Sequence, residues 1–300
     1  MKRLVLRAGP SDQGERLDRF IAARGGISRG AARRALDAGG VFLGGRRCKV
    51  ASRALGAGDE VVVNLEEAGR AAEAPRPLER SRLLYADAEL AFVDKPAGVP
   101  SQPTLTTDRG HVAEAASRAL GAPLFLVHRL DRETSGVMVL ARTRVAARRL
   151  SEDFRDGRPA KTYLALCVRA PSPPEGRVEA PLGRDERHPG RRVVREDGEP
   201  ASTRYRTLSV GASGTALVEA RPETGRTHQI RAHLAHLGAP LLGDVRYGGP
   251  RAVGERSVPR VMLHAWRLAV HRPSSGQRLE AEAPEPEDFA ALRRALAGTP

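Results

Sequence analysis

One stretch in the middle of the chain, His128-Arg129-Leu130-Asp131-Arg132-Glu133-Thr134-Ser135-Gly136, gathers the side chains best suited to chemistry. Asp131 stands between Arg129 and Arg132. Opposite charge favours the ionised form of a carboxylate, and an ionised carboxylate can act as a nucleophile or a base. The same residue could equally cap a turn and pair with a surface arginine. The apolar runs on either side, residues 124–127 and 137–141, read as short buried strands. Gly136, preceded by Thr134 and Ser135, reads as the turn between them. Asp131 is therefore predicted in a tight connection at a strand end.

Two later stretches stand out. Residues 160–168 read as an apolar core strand, with Tyr163 packed and hydrogen-bonded at its rim. Residues 224–231, Thr-Gly-Arg-Thr-His-Gln-Ile-Arg, open a helix. Ile230, Leu234 and Leu237 share one face of it, and Arg231 lies off that face. His228, His233 and His236 lack the H-E-x-x-H spacing of a zinc helix, so no metal site is predicted.

Ahead of these lies a smaller unit. Leu17, Phe20 and Ile21 fall at helical spacing. Ser28 is placed to cap a second helix over 29–38, which Gly39-Gly40 ends. Strands follow at 41–43 and 60–63, with Gly44-Gly45 turning the chain. Residues 1–65 hold 13 Lys and Arg against 6 Asp and Glu, a net +7 that is half of the chain's +14. Arg29 and Arg33 share a helix face, with Arg34 beside them, and Arg46, Arg47, Lys49 and Arg53 follow in a loop. Read as an unpaired basic face, this suits a phosphate backbone; charge alone fits a solvated face as well.

Among the rest, residues 66–80 carry Pro75 and Pro77 without apolar period and read as a linker. Residues 83–85 and 90–93 read as strands, 111–120 and 143–154 as helices, and 202–220 as a hairpin. An arginine-rich excursion over 184–195 could touch RNA or be a solvated loop, and a C-terminal helix over 285–297 reads as a surface cover. Cys48 and Cys167 give no disulfide framework or zinc spacing, which makes a cytoplasmic location the default. Neither a signal peptide nor a membrane span is expected.

The central stretch resembles the H-R-L-D-x-x-T-S-G motif of the RluA family of RNA pseudouridine synthases, at every specified position. Residues 94–98, Asp-Lys-Pro-Ala-Gly, are similar to its N-K-P-x-G, with Asp94 in place of Asn. Residues 161–166 resemble K-x-Y-x-A-L, and 224–231 resemble T-G-R-x-H-Q-h-R; 241–248 and 262–265 also match family text. The N-terminal unit resembles the αL-type RNA-binding motif of a ribosomal small-subunit protein, through Arg16-Leu17-Asp18, Ser28-Arg29, residues 40–45 and Gly58-Asp59.

The resemblance implies an α+β architecture. A pseudouridine synthase catalytic domain over 81–300, with a mixed, mostly antiparallel sheet and a central cleft, follows a small α/β RNA-binding domain over 12–66 and a linker over 67–80. It implies isomerisation of uridine to pseudouridine in structured RNA, ribosomal RNA favoured and transfer RNA possible, without cofactor or metal. Asp131 would be catalytic, Tyr163 would stack on the base, and Arg231 would pair with Asp131. Arg129, Arg226, His128 and Thr134 would bind substrate. Arg16, Arg29, Arg33, Arg34, Arg46, Arg47 and Lys49 would contact RNA from the N-terminal domain. A monomer is expected. The competing reading is an RNA-binding ribosome-assembly factor without catalysis.

Overall fold

The computed structural model describes residues 2–65, 78–79 and 82–297, so the expected linker lies outside the described residues except for Leu78 and Glu79. The chain divides into two compact units, the second starting at Leu78, with the segment Gln102–Ala115 belonging to the first.

In the first unit, β1 (Lys2–Arg7), α1 (Leu17–Gly25), α2 (Arg29–Ala38), β2 (Val41–Leu43), β3 (Arg46–Arg47) and β4 (Glu60–Leu65) follow in order. The strands form an antiparallel sheet of order β1-β4-β2-β3. Leu17, Phe20, Ile21, Leu36, Val41, Val61 and Val63 close its core. α2 starts where the Ser28 hydroxyl accepts the Ala31 N–H and stops at Gly39, whose left-handed φ of 84° suits glycine. β1 lies ahead of residue 12, because Leu4 and Leu6 alternate onto the core.

The second unit is built on a ten-stranded sheet. Its chain runs through β5 (Leu83–Ala86), β6 (Leu90–Lys95), α3 (Val112–Leu120, which begins within the first unit), β7 (Phe125–Leu126), β8 (Ser135–Ala141), α4 (Arg144–Arg155), β9 (Ala160–Cys167) and β10 (Glu175–Glu179). There follow β11 (Leu182–Arg184), β12 (Arg192–Val194), β13 (Ser202–Val210), β14 (Ala216–Pro222) and α5 (Gln229–His236). β15 (Ala252–Val253), β16 (Arg256–Ser257), β17 (Leu263–His271), β18 (Arg278–Glu282) and α6 (Glu287–Ala297) complete it. The main path is β10-β13-β14-β9-β17-β8-β6-β5, with β18 on β17 and β7 on β8. Its one parallel pairing among the described strands is β17 with β8. The fold is α+β with a mixed, mostly antiparallel sheet, as expected.

That parallel junction corrects the reading of Gly136. It lies inside β8, and the turn comes earlier, at Arg132-Glu133. Its φ is +114°, and a Cβ there would collide with the Ala265 backbone. Glycine is required by the approach of β17, not by a turn. α6 does more than cover a surface: it buries Phe289, Leu292 and Leu296 against Leu164, Leu166 and Met262. Among the described residues no helix is long and apolar enough to cross a membrane.

Candidate active site

The connection from β7 to β8 is pinned from several sides. The Leu130 N–H donates to Ser101 Oγ at 3.0 Å, and the same hydroxyl donates to the Leu130 carbonyl at 2.8 Å. The buried Lys95 ammonium donates to the carbonyls of Pro96, Val99 and Arg132. His128 Nε2 accepts the Val139 N–H at 3.0 Å, and its ring stacks on Phe154 at 4.2 Å. Burial drives this imidazole down to about 3, which keeps it neutral. Thr134 is buried, its N–H donating to the Asp131 carbonyl. A backbone held this way fixes where the Asp131 side chain can point.

The neighbouring arginines do not pair with it, contrary to the local reading of the sequence. Arg132 donates to the Gly98 carbonyl, and Arg129 is exposed with no carboxylate in ion-pair range among the described residues. Asp131 Oδ2 instead accepts from Arg231 Nη1 at 3.1 Å and lies 3.7 Å from His228 Nε2. The pairing implied by the resemblance is thus the contact found.

α5 places Arg231 through the loop before it. The Gln229 side chain accepts from Thr224 Oγ1 and the Arg226 N–H and donates to Ser202 and Thr203, and His228 takes a left-handed φ of 57°. Arg231 is 7% exposed and Asp244 1%. The two form a forked pair, Nε to Oδ2 at 2.6 Å and Nη2 to Oδ1 at 2.8 Å. Burial alone would lower the guanidinium's pKa; the bonds and charges of Asp244 and then Asp131 outweigh it and raise it. The Tyr247 ring lies 5.1 Å from the guanidinium carbon. The Tyr247 hydroxyl accepts the Arg192 N–H at 2.9 Å and shares a hydrogen bond with His228 Nδ1 at 3.1 Å. Burial lowers this imidazole to about 4 against the raising field of Asp131.

These groups line a cavity of about 370 Å³, shared by Asp131, Lys161, Tyr163, Phe154, Ile230 and Arg231. His128, Arg129, Thr134 and Arg226 line it too. Burial pushes the Tyr163 phenol up, so it stays neutral. Arg226 is tied to Glu199 and to the Pro200 carbonyl. His233 is spent on Thr203 Oγ1 and the Ala180 carbonyl. Sequence reasoning gave no role to Lys161, Asp244 or Tyr247. The period-two face shared with Tyr163 could have flagged Lys161; Asp244 and Tyr247 stood in matched family text without a stated partner.

In the first unit the basic face is not unpaired. Arg16, Arg29 and Arg33 converge on the buried Asp18 at 3.0–3.1 Å, so three cations share one carboxylate and keep a net positive charge. Arg47 donates to the carbonyls of Gly39 and Thr104, and Lys49 pairs with Asp108 at 3.2 Å. Arg34 and Arg46 are exposed and have no ion pair among the described residues.

Comparison with known proteins bears on both units. Residues 89–236 match the family model described as RNA pseudouridylate synthase, and residues 15–61 match the S4 domain. The chain is 38% identical over 203 residues to the "Dual-specificity RNA pseudouridine synthase RluA" of Escherichia coli K12, covering 67% of this chain and 92% of that one. It is 38% identical over 301 residues to an "Uncharacterized RNA pseudouridine synthase" of Chloroflexus aurantiacus, covering 96% and 92%. Among solved structures, "Human RNA Pseudouridylate Synthase Domain Containing 4" superposes with a TM-score of 0.61 at 29% identity, over 72% of this chain and 93% of that one. A pinned aspartate–arginine pair in a lined cavity thus sits within a chain that resembles these enzymes along most of its length, and the chain belongs to the RluA family of RNA pseudouridine synthases, with an S4 RNA-binding domain at its N-terminus.

Proposed function

We propose that this enzyme isomerises particular uridines of structured RNA, large-subunit ribosomal RNA foremost, with Asp131 as its catalytic carboxylate. One observation carries the reading: Asp131 is the carboxylate of the cavity, and it accepts from the buried Arg231 at 3.1 Å. A base inside a stem is stacked out of reach, so the target must be flipped into the cavity. The cavity volume lies within the range of small-molecule sites, about 300–1,000 Å³. Tyr163 offers the base a face to stack on, and Arg231 holds the carboxylate in place. Arg129, exposed beside Asp131, would fill the gap the flipped base leaves. Arg226, His128 and Thr134 complete the substrate pocket.

Asp131 acts at C1′ as a nucleophile or at C2′ as a base. On either route the C1′–N1 bond breaks, its electron pair leaves with the uracil, and Asp131 loses its negative charge. The uracil turns and C5 bonds to C1′, as the Asp131–C1′ bond breaks on the first route or as Asp131 returns its proton to C2′ on the second; the C5 proton is then exchanged for one on N1, and Asp131 is a carboxylate again. No cofactor enters this scheme. The Arg16–Arg29–Arg33 cluster, with Arg34 and Arg46, would bear on phosphates. Arg47 and Lys49 would reach RNA only by exchanging their present partners. The enzyme would work as a cytoplasmic monomer.

The test is a map of pseudouridines in ribosomal and transfer RNA from cells with the gene, without it, and with Asp131→Asn in its place. Both RNA classes belong in it because the Escherichia coli relative is called dual-specificity. Sites absent from the deletion strain and not restored by Asp131→Asn are expected. Restoration by the variant would refute the assignment, and RNA binding with no site lost would favour an assembly factor.

A further inference from the structure

We propose that the Lys161 ammonium is a catalytic electrophile that holds the negative charge of the uracil as it departs from C1′. The inference rests on the reading of Asp131 and Tyr163 above and extends it to a residue with no assigned task.

Lys161 and Tyr163 are two residues apart on β9, so both side chains leave the same face of the strand, and both line the cavity. The Lys161 Nζ donates to the Thr224 carbonyl at 2.9 Å. Among the described residues no carboxylate lies within ion-pair distance of it. An ammonium has three donors, so two remain for the cavity. A partly buried cation without an anion is unusual, because buried charges are normally paired. Of the guanidiniums that line the cavity, Arg231 is committed to Asp244 and Asp131, Arg226 to Glu199 and Arg155 to Asp156, while Arg129 is exposed. Burial also lowers the ammonium to about 8, as expected of a cation lacking a counter-charge.

The charge count points the same way. Asp131, Arg231 and Asp244 together carry a formal −1. When the C1′–N1 bond breaks, Asp131 becomes neutral, by forming a bond to C1′ or by taking the C2′ proton. The bond's electron pair then resides on uracil, spread over N1 and its carbonyl oxygens. Negative charge therefore moves away from Arg231 and toward the base, which stacks at Tyr163. A cation two residues from Tyr163 meets more charge in the transition state than in the ground state, the condition for it to raise the rate. When C5 bonds to C1′ the negative charge returns to Asp131; the C5 proton is exchanged for one on N1, the base is neutral again and Lys161 is unchanged.

The test uses the full-length enzyme and a stem-loop transcript carrying a uridine located by the mapping above, made with UTP or with 5-fluoro-UTP. Fluorine at C5 withdraws electrons and makes the base anion easier to form; because it also leaves no C5 proton to depart, the rate on both transcripts is read as loss of the C1′–N1 bond. Lys161→Gln keeps a donor for the Thr224 carbonyl but removes the charge; Lys161→Arg keeps the charge. Lys161→Gln should lower the single-turnover rate on uridine at saturating RNA by about 10²–10³-fold, the loss typical of one oxyanion donor. RNA affinity should change little, Lys161→Arg should lose far less, and the deficit of Lys161→Gln should shrink by roughly tenfold on 5-fluorouridine. A wild-type rate for Lys161→Gln, an equal deficit on both transcripts, or a loss confined to RNA affinity would each overturn the proposal. Asp131→Asn is run alongside: its activity would refute the Asp131 reading, whereas a dead Asp131→Asn with a wild-type Lys161→Gln would refute this inference alone.

Discussion

Replacing Arg231 by Met removes the cation between two carboxylates while keeping an apolar stem of similar length. Asp244 is 1% exposed and makes both of its short bonds to Arg231. Left alone, it becomes a buried uncompensated charge, at a cost of about 3–5 kcal/mol. Spread over a catalytic unit of some 200 residues at about 2–4 °C per kcal/mol, that is a fall on the order of 10 °C in its melting transition. Turnover should also collapse, since Asp131 loses its one guanidinium contact among the described residues. Adding Asp244→Asn to the same chain separates the two effects. The second change removes the stranded charge, so much of the lost stability should return, yet turnover should not, because Asp131 still lacks its donor. Melting curves and single-turnover rates for the wild type, both single variants and the double variant form a complete cycle. A single Arg231→Met variant that melts like the wild type, or a double variant as unstable as the single, would refute the argument.

Two other outcomes can be measured. His128 and His228 are held neutral by burial, at about 3 and about 4, whereas in the unfolded chain they titrate near about 6.5. The unfolded state therefore takes up protons first as the pH falls, so their contribution is fully present above about pH 6.5 and is lost progressively through about 4 and 3; the denaturation midpoint should be lower at pH 5 than at pH 7, and an unchanged midpoint would contradict these environments. In the S4 domain, Arg34→Ala and Arg46→Ala should each lessen the log–log salt slope of RNA binding by about 0.9 if each touches a phosphate, and slopes equal to the wild type would make both merely solvated.

What could be read from the sequence was mostly local. The bounds of α2 followed from Ser28 and Gly39, which act within one helical turn of their own positions. The strands at 90–93 and 160–168 announced themselves by apolar runs, and the stretch around Asp131 by its charged residues, its catalytic role being what the family resemblance implies. The misreadings share a cause, a partner distant in sequence. Gly136 looks like a turn residue until β17, carrying Ala265, is laid beside it. Arg29 and Arg33 look free because Asp18 belongs to the preceding helix. Asp131 looks paired to its neighbours, yet its partner lies on α5 and came into view only through the family resemblance. β1 is not legible from its own residues, because the alternation of Leu4 and Leu6 with charged and exposed residues is a six-residue signal too short to stand without β4 to pair with.

Asp244 also changes what Arg231 can do for catalysis. A cation devoted to Asp131 alone would stabilise the carboxylate most strongly before reaction, when its charge is full. On either of the proposed routes Asp131 loses that charge, so such a cation would deepen the ground state and raise the barrier. Asp244 takes two of the guanidinium's donors, at 2.6 and 2.8 Å, and leaves Asp131 the longer contact of 3.1 Å. The sharing weakens the electrostatic hold on Asp131 while the fork fixes the guanidinium's plane, and with it the direction from which the third donor meets the carboxylate. Arg231 is in this arrangement an orienting group more than a charge stabiliser. On the proposed chemistry the stabilising charge is needed where the electron pair goes, on the departing base, the task proposed above for Lys161, which lines the same cavity.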